Sequence, residues 1–83
     1  MTLLVFEKPG CPLCDEAHEL LENVSARFVF SVERRNIFED EATFARYRYR
    51  VPVVVLDGRE LVELRFSETE LVAALTAAGV QTK

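Results

Sequence analysis

The chain has no run of apolar residues near the roughly 18 that a membrane-spanning helix needs. Its first apolar run, Leu3–Phe6, is too short for the core of a secretory signal and has no basic segment before it. A cytoplasmic location is therefore expected. Glycine and proline are scarce, three of each, which excludes collagen-like and linker-like sequence. Positive charge is in deficit: ten Lys and Arg against fourteen Asp and Glu leave a net charge of −4. Phosphate backbones and anionic membrane surfaces repel such a chain, so neither nucleic acid nor membrane is an expected partner. There is no Gly-rich phosphate loop, no carboxylate dyad and no Ser/His/Asp set, and nothing asks for a nucleotide.

What is present is 49% apolar residues over 83 positions, enough for one small core and too much for disorder. No repeat or Pro/Gly/Ser-rich linker divides the chain, so residues 1–83 are expected to form a single domain. Thr2–Phe6 has the apolar continuity of a buried strand and ends at the turn signal Lys8-Pro9-Gly10. From Pro12 to about Ala26, Leu13, Ala17, Leu20, Leu21 and Val24 recur at helical spacing, with Asp15, Glu16, Glu19 and Glu22 on the wet side. Phe28–Glu33 is β-branched and aromatic and predicts a second strand, with Arg34-Arg35-Asn36 as its polar exit. Asp40 to about Tyr47 predicts a short helix, and Val51–Leu56 a third strand. Asp57-Gly58 is a two-residue hairpin signal leading into Leu61–Leu64. Ser67 and Glu70 have capping-box spacing, opening a last helix that Gly79 stops. The order β-α-β-α-β-β-α predicts an α/β fold with a mixed four-stranded sheet and helices on both faces. Helical crossovers make the first strands parallel, and the hairpin adds an antiparallel edge.

The two cysteines, Cys11 and Cys14, stand where the first strand hands over to a helix. A disulfide between them closes a very short loop and is worth only about 2 kcal/mol as a brace. In a reducing compartment such a pair is better suited to redox or metal chemistry. At a helix N-terminus the free N–H groups and the dipole favour a thiolate at Cys11, and Lys8 adds a nearby cation. Glu7, Asp15 and Glu16 oppose it. Cys14, one turn further on, is placed to attack a mixed disulfide at Cys11, and its more interior position is expected to keep its thiol protonated. Pro52 is either the first residue of a strand or the second residue of a cis Val51–Pro52 bond, which would free the Val51 backbone for an extended substrate.

Lys8-Pro9-Gly10-Cys11-Pro12-Leu13-Cys14 after the first strand, with Val51-Pro52 opening the third, resembles the glutaredoxin branch of the thioredoxin superfamily. The order of elements is similar to the minimal fold of that family over essentially the whole chain. The resemblance implies that Cys11 is the nucleophile, Cys14 the resolving thiol and Pro52 the cis-proline beside the active site. It implies a thiol–disulfide oxidoreductase acting on protein or glutathione mixed disulfides, with Lys8 where a family lysine contacts a glutathione carboxylate. The implied substrate-binding set is Lys8, Pro12, Leu13, Arg50, Val51 and Pro52. No tightly bound cofactor is expected, and glutathione stands as a candidate reductant or substrate. The partners are a disulfide substrate and a thiol reductant, and the chain is expected to be monomeric. The sequence departs from the family at Leu13, where an aromatic residue is common, at Arg50, where Thr is common, and at Arg65-Phe66, where Gly-Gly is common. It also lacks the Trp that precedes the cysteine pair of typical thioredoxins.

Other residues carry weaker signals. His18 is four positions after Cys14, which suits either an exposed helical histidine or, with Cys11, Cys14 and Asp15, a zinc or copper site. Arg46, Arg48 and Arg50 alternate with Tyr47 and Tyr49. They are expected to answer Glu39, Asp40 and Glu41, while Arg50 beside Pro52 also offers a guanidinium fork for an anionic substrate. Phe6, Phe28, Phe30, Phe38 and Phe44 are expected in the core, and Phe66 could flank the site. A metal-binding thiol module and a redox-inactive interaction domain are the alternatives to an oxidoreductase.

Overall fold

Alternation along the first strand sorts the whole molecule into two layers around one sheet. The computed structural model describes residues 1–83. Its elements are β1 (Thr2–Glu7), α1 (Pro12–Val24), β2 (Ser31–Asn36), α2 (Glu41–Tyr47), β3 (Val53–Leu56), β4 (Arg59–Glu63) and α3 (Glu68–Ala77). The strands lie side by side in the order β2-β1-β3-β4. On one face, Leu3 and Val5 of β1 pack with Ala17, Leu21 and Val24 of α1, Val54 and Leu56 of β3, and Leu71 and Leu75 of α3. On the other, Leu4 and Phe6 border a smaller cluster made by Cys11, Cys14, Ile37, Tyr47, Val51, Val53 and Val55. Helices α1 and α3 therefore cover one face and α2 the other. Each fully buried Leu or Val contributes about 1.5–3 kcal/mol.

β1 and β2 are parallel, whereas β3 runs antiparallel to β1 and β4 antiparallel to β3. The connection Ile37–Pro52, with its seven-residue α2, is long enough for a crossover but stays at one end of the sheet. The chain therefore re-enters the sheet from the end where it left.

The second strand lies three residues later than its apolar signal. Arg34, Arg35 and Asn36, expected as an exit, are inside β2, and Phe28–Phe30 precede it. β2 is an edge strand exposed at five of its six positions, so its residues follow solvent and not the core. The apolar run instead meets the C-terminal segment: Val29 N–H donates to the Gln81 carbonyl at 2.7 Å and Lys83 N–H to that of Arg27 at 2.9 Å. Phe28, although outside a strand of the sheet, is buried in the main core as expected. Phe38, expected in the core, is 58% exposed on a 3-10 turn over Ile37–Glu39 that the sequence did not announce. There the Asn36 side chain accepts from Phe38 N–H at 2.9 Å.

The Asp57-Gly58 hairpin forms with both central residues at positive φ, +49° and +78°, as a type I′ turn requires. Beyond it, Val55 faces Glu60 but Val54 faces Val62, leaving Leu61 as an extra residue on β4. The bulge resets the alternation, so Glu60 and Glu63 point to the same face of the sheet. α3 opens on the capping box read from sequence, with Ser67 Oγ accepting from Glu70 N–H at 3.1 Å and the Glu70 carboxylate from Ser67 N–H at 3.2 Å.

Candidate active site

Cys11 is the N-cap residue of α1. Its backbone is extended (φ −109°, ψ 104°), and Pro12 occupies the first helical position, where its missing N–H leaves nothing unsatisfied. The Cys11 sulfur takes the place of the usual capping oxygen and accepts the Cys14 N–H at 3.2 Å. Both thiols are free. Cys11 is 7% exposed and Cys14 3%, so the first is nearer the surface.

Cys14 is held strongly protonated. Burial is the largest cause, followed by the hydrogen bond and negative charge of Cys11 and the charge of Glu7, and together they push the thiol up to about 12. The Lys8 backbone amide works the other way.

Val51 and Pro52 are buried, with Val51 in the same cluster as both cysteines. The Val51–Pro52 bond is cis. The Pro52 carbonyl accepts Leu64 N–H at 2.9 Å, which ties the start of β3 to the end of β4. Leu64 adopts φ +60°, a region that costs a non-glycine residue about 1 kcal/mol, and leaves its side chain 41% exposed. Leu13, between the cysteines, is half-buried against the smaller cluster, and Pro12 is exposed. The Lys8 side chain is half-buried and makes no ion pair.

Arg50 is already engaged. Its Nε donates to Glu63 at 3.2 Å, and its terminal amine reaches Glu63 at 3.0 Å and also Glu60. The guanidinium fork expected to hold an external anion grips two carboxylates of β4, which the Leu61 bulge had brought to one face. Arg46 also pairs with Glu60, so the counterions of this arginine cluster come from β4 and not from Glu39, Asp40 or Glu41. The Arg46 and Arg50 guanidiniums lie 5.3 and 5.4 Å from the Tyr47 ring centroid, and that ring stacks on Phe6 at 4.5 Å. Tyr47 thus forms part of the wall behind the cysteines, a placement that its position among helical charges did not reveal.

His18 is half-buried and does not join the thiols. Its Nε2 lies 2.5 Å from Glu7 Oε1, and Arg34 donates to the same carboxylate at 2.7–3.1 Å. Burial alone would raise the Glu7 carboxyl, but Arg34 and His18 outweigh it and hold it below its ordinary value. No three His, Cys, Asp or Glu side chains converge as a metal site would need. No sequence pattern brings Glu7, His18 and Arg34 together. The one signal is alternation at Glu7, which shares the face of Leu3 and Val5, against which α1 packs.

No helix is long and apolar enough to cross a membrane. Comparison with known proteins matches residues 2–76 to the family model described as glutaredoxin-like domain (DUF836). A structural-genomics target protein from X. campestris is 34% identical in its crystal structure, with 90% of this chain and 96% of that one covered and a TM-score of 0.77. Its solution structure is 33% identical over 96% and 99%, with a TM-score of 0.78. Thioredoxin 1 from Thermosipho africanus shares the fold at 17% identity, 94% and 93% coverage and a TM-score of 0.58. The chain belongs to the glutaredoxin-like domain family and has the thioredoxin-like fold.

Proposed function

We propose that the protein is a thiol–disulfide oxidoreductase that uses Cys11 and Cys14 in turn. The observation that carries this reading is the asymmetry of the pair: both thiols are buried, but one sulfur caps a helix and accepts a backbone N–H, while the other is held protonated. Such a division supplies one attacking and one reserved thiol. Cys11 thiolate attacks a substrate disulfide; a Cys11–substrate S–S bond forms, the substrate S–S bond breaks, and the leaving thiolate takes a proton from solvent. Cys14 then loses its proton and attacks the Cys11 sulfur, forming the Cys11–Cys14 disulfide and releasing the second substrate thiolate. Two electrons pass to the substrate, and an external thiol reductant restores the dithiol.

The order of attack has a physical basis. Two of the influences that keep Cys14 protonated are the hydrogen bond and charge of Cys11. Both disappear once Cys11 is bound in a mixed disulfide, so Cys14 becomes easier to ionise at the moment it is needed. The substrates are protein disulfides or glutathione mixed disulfides, met beside Leu13, Val51 and Pro52, with the unpaired Lys8 ammonium available for a carboxylate. The test is turnover of a mixed disulfide with a thiol reductant present. Wild type turns over and Cys11→Ser does not; full activity in Cys11→Ser overturns the reading.

A further inference from the structure

A groove of about 490 Å³ lies between α1 and the segment joining β4 to α3, and it reaches the cysteine cluster at Leu13. Its apolar lining is Leu13, Ala17, Leu20, Leu64 and Phe66. Two of these tie it to the redox site: Leu13 stands between the cysteines, and Leu64 hydrogen-bonds the Pro52 carbonyl. From Leu13 the groove follows α1 to Asn23, about 15 Å at 1.5 Å per residue, the span of four or five extended residues. That is longer than the flanks of the cysteine in glutathione.

The rim is acidic. Glu16, Glu19 and Glu70 line the groove with Arg65 as the one cation. Glu16 and Glu19 are exposed and form no ion pair with the chain's own arginines, all of which except Arg48, Arg59 and Arg65 are paired elsewhere. Glu70 is fixed in place by the capping box. An acidic rim over an apolar floor attracts cations and repels glutathione, a net anion at neutral pH.

We propose that this groove receives the polypeptide flanking the reacting cysteine of a protein substrate, and favours a segment with apolar side chains beside Lys or Arg. The inference rests on the redox reading of the cysteines and adds the class of substrate. Apolar side chains cover Leu20 and Phe66, the basic side chains meet Glu16 and Glu19, and the substrate cysteine is delivered past Leu13 to Cys11. Leu64, at positive φ, lines the groove with its side chain 41% exposed.

The test uses the reduced full chain and two synthetic disulfide-linked peptides that share Leu and Phe flanks and differ only in Lys or Glu at the remaining flank positions. Glutathione disulfide and the neutral hydroxyethyl disulfide serve as references. The rate of Cys11–Cys14 disulfide formation is followed by alkylation and mass. The basic peptide is expected to react about tenfold faster than the acidic one at low salt. The ratio should collapse between about 0.01 M and about 1 M salt, as the screening length falls from about 30 Å to about 3 Å. Glu16→Gln/Glu19→Gln should draw the ratio toward one. Equal rates for the two peptides, a ratio insensitive to salt and to the double variant, or faster reaction with glutathione disulfide than with the basic peptide overturns the proposal. Failure of every disulfide, hydroxyethyl disulfide included, would refute the redox reading itself. The groove is read separately through amide shifts of Leu20, Asn23, Phe66 and Ser67 on adding versions of the peptides with Ser for Cys. Shifts from the basic peptide alone support the groove, and equal or absent shifts overturn it.

Discussion

Replacing Glu7 by Gln keeps the shape of the side chain and removes the charge that joins β1, α1 and β2. The carboxylate is 13% exposed, takes His18 at 2.5 Å, and is held by Arg34 through both oxygens. Arg34 is 62% exposed, so its share is discounted to the surface range of up to about 1 kcal/mol. The half-buried His18 contact brings the total to about 1.5 kcal/mol, which in a domain of this size lowers Tm by about 6–12 °C. The pH dependence fixes the origin of the loss. The folded carboxyl lies below its ordinary value of 4.5, so its stabilisation is fully present above 4.5 and is lost as pH falls through the lower folded value. Thermal melts of wild type and Glu7→Gln should therefore differ by a constant amount near neutrality and converge in acid. Equal melting temperatures at neutral pH, or a gap that persists well below pH 4.5, would refute the reasoning.

The remaining predictions concern the frame and the thiols. Leu21→Ala empties a position 2% exposed between α1 and the sheet and should cost about 2–5 kcal/mol in denaturant unfolding; a loss under about 1 kcal/mol would mean the site is not packed as described. Ser67→Ala removes the cap of α3 and should cost about 1 kcal/mol by the same assay; an unchanged midpoint would contradict the capping box. With Cys14 pushed up to about 12, limiting alkylation at neutral pH should label Cys11 first, as peptide mass mapping will show. Equal labelling would contradict the asymmetry.

The order of elements was legible because most carry a local signal: helical spacing in α1, Asp57-Gly58 for the hairpin, Ser67 and Glu70 for the last cap. β2 was displaced because an edge strand is not required to be apolar, while the apolar Phe28 reaches the main core from the segment before it. The direction of β3 was not legible, because the connection Ile37–Pro52 is long enough either to cross the sheet or to return at the same end. At the site, Cys11 and Cys14 announced themselves by spacing. The fate of Arg50 did not, since it hinges on the extra residue Leu61, which has no composition signal yet turns Glu60 and Glu63 to one side. Glu7, His18 and Arg34 stand far apart in sequence and meet only through packing.

The central claim is that Cys11 attacks and Cys14 resolves, and trapping the intermediate tests it most directly. Cys14→Ser mixed with a peptide disulfide should accumulate a covalent adduct at Cys11, visible as added peptide mass. Cys11→Ser should accumulate none, and wild type should pass to the internal Cys11–Cys14 disulfide. Adducts of equal yield on both variants, or an adduct on Cys11→Ser alone, would contradict the assignment.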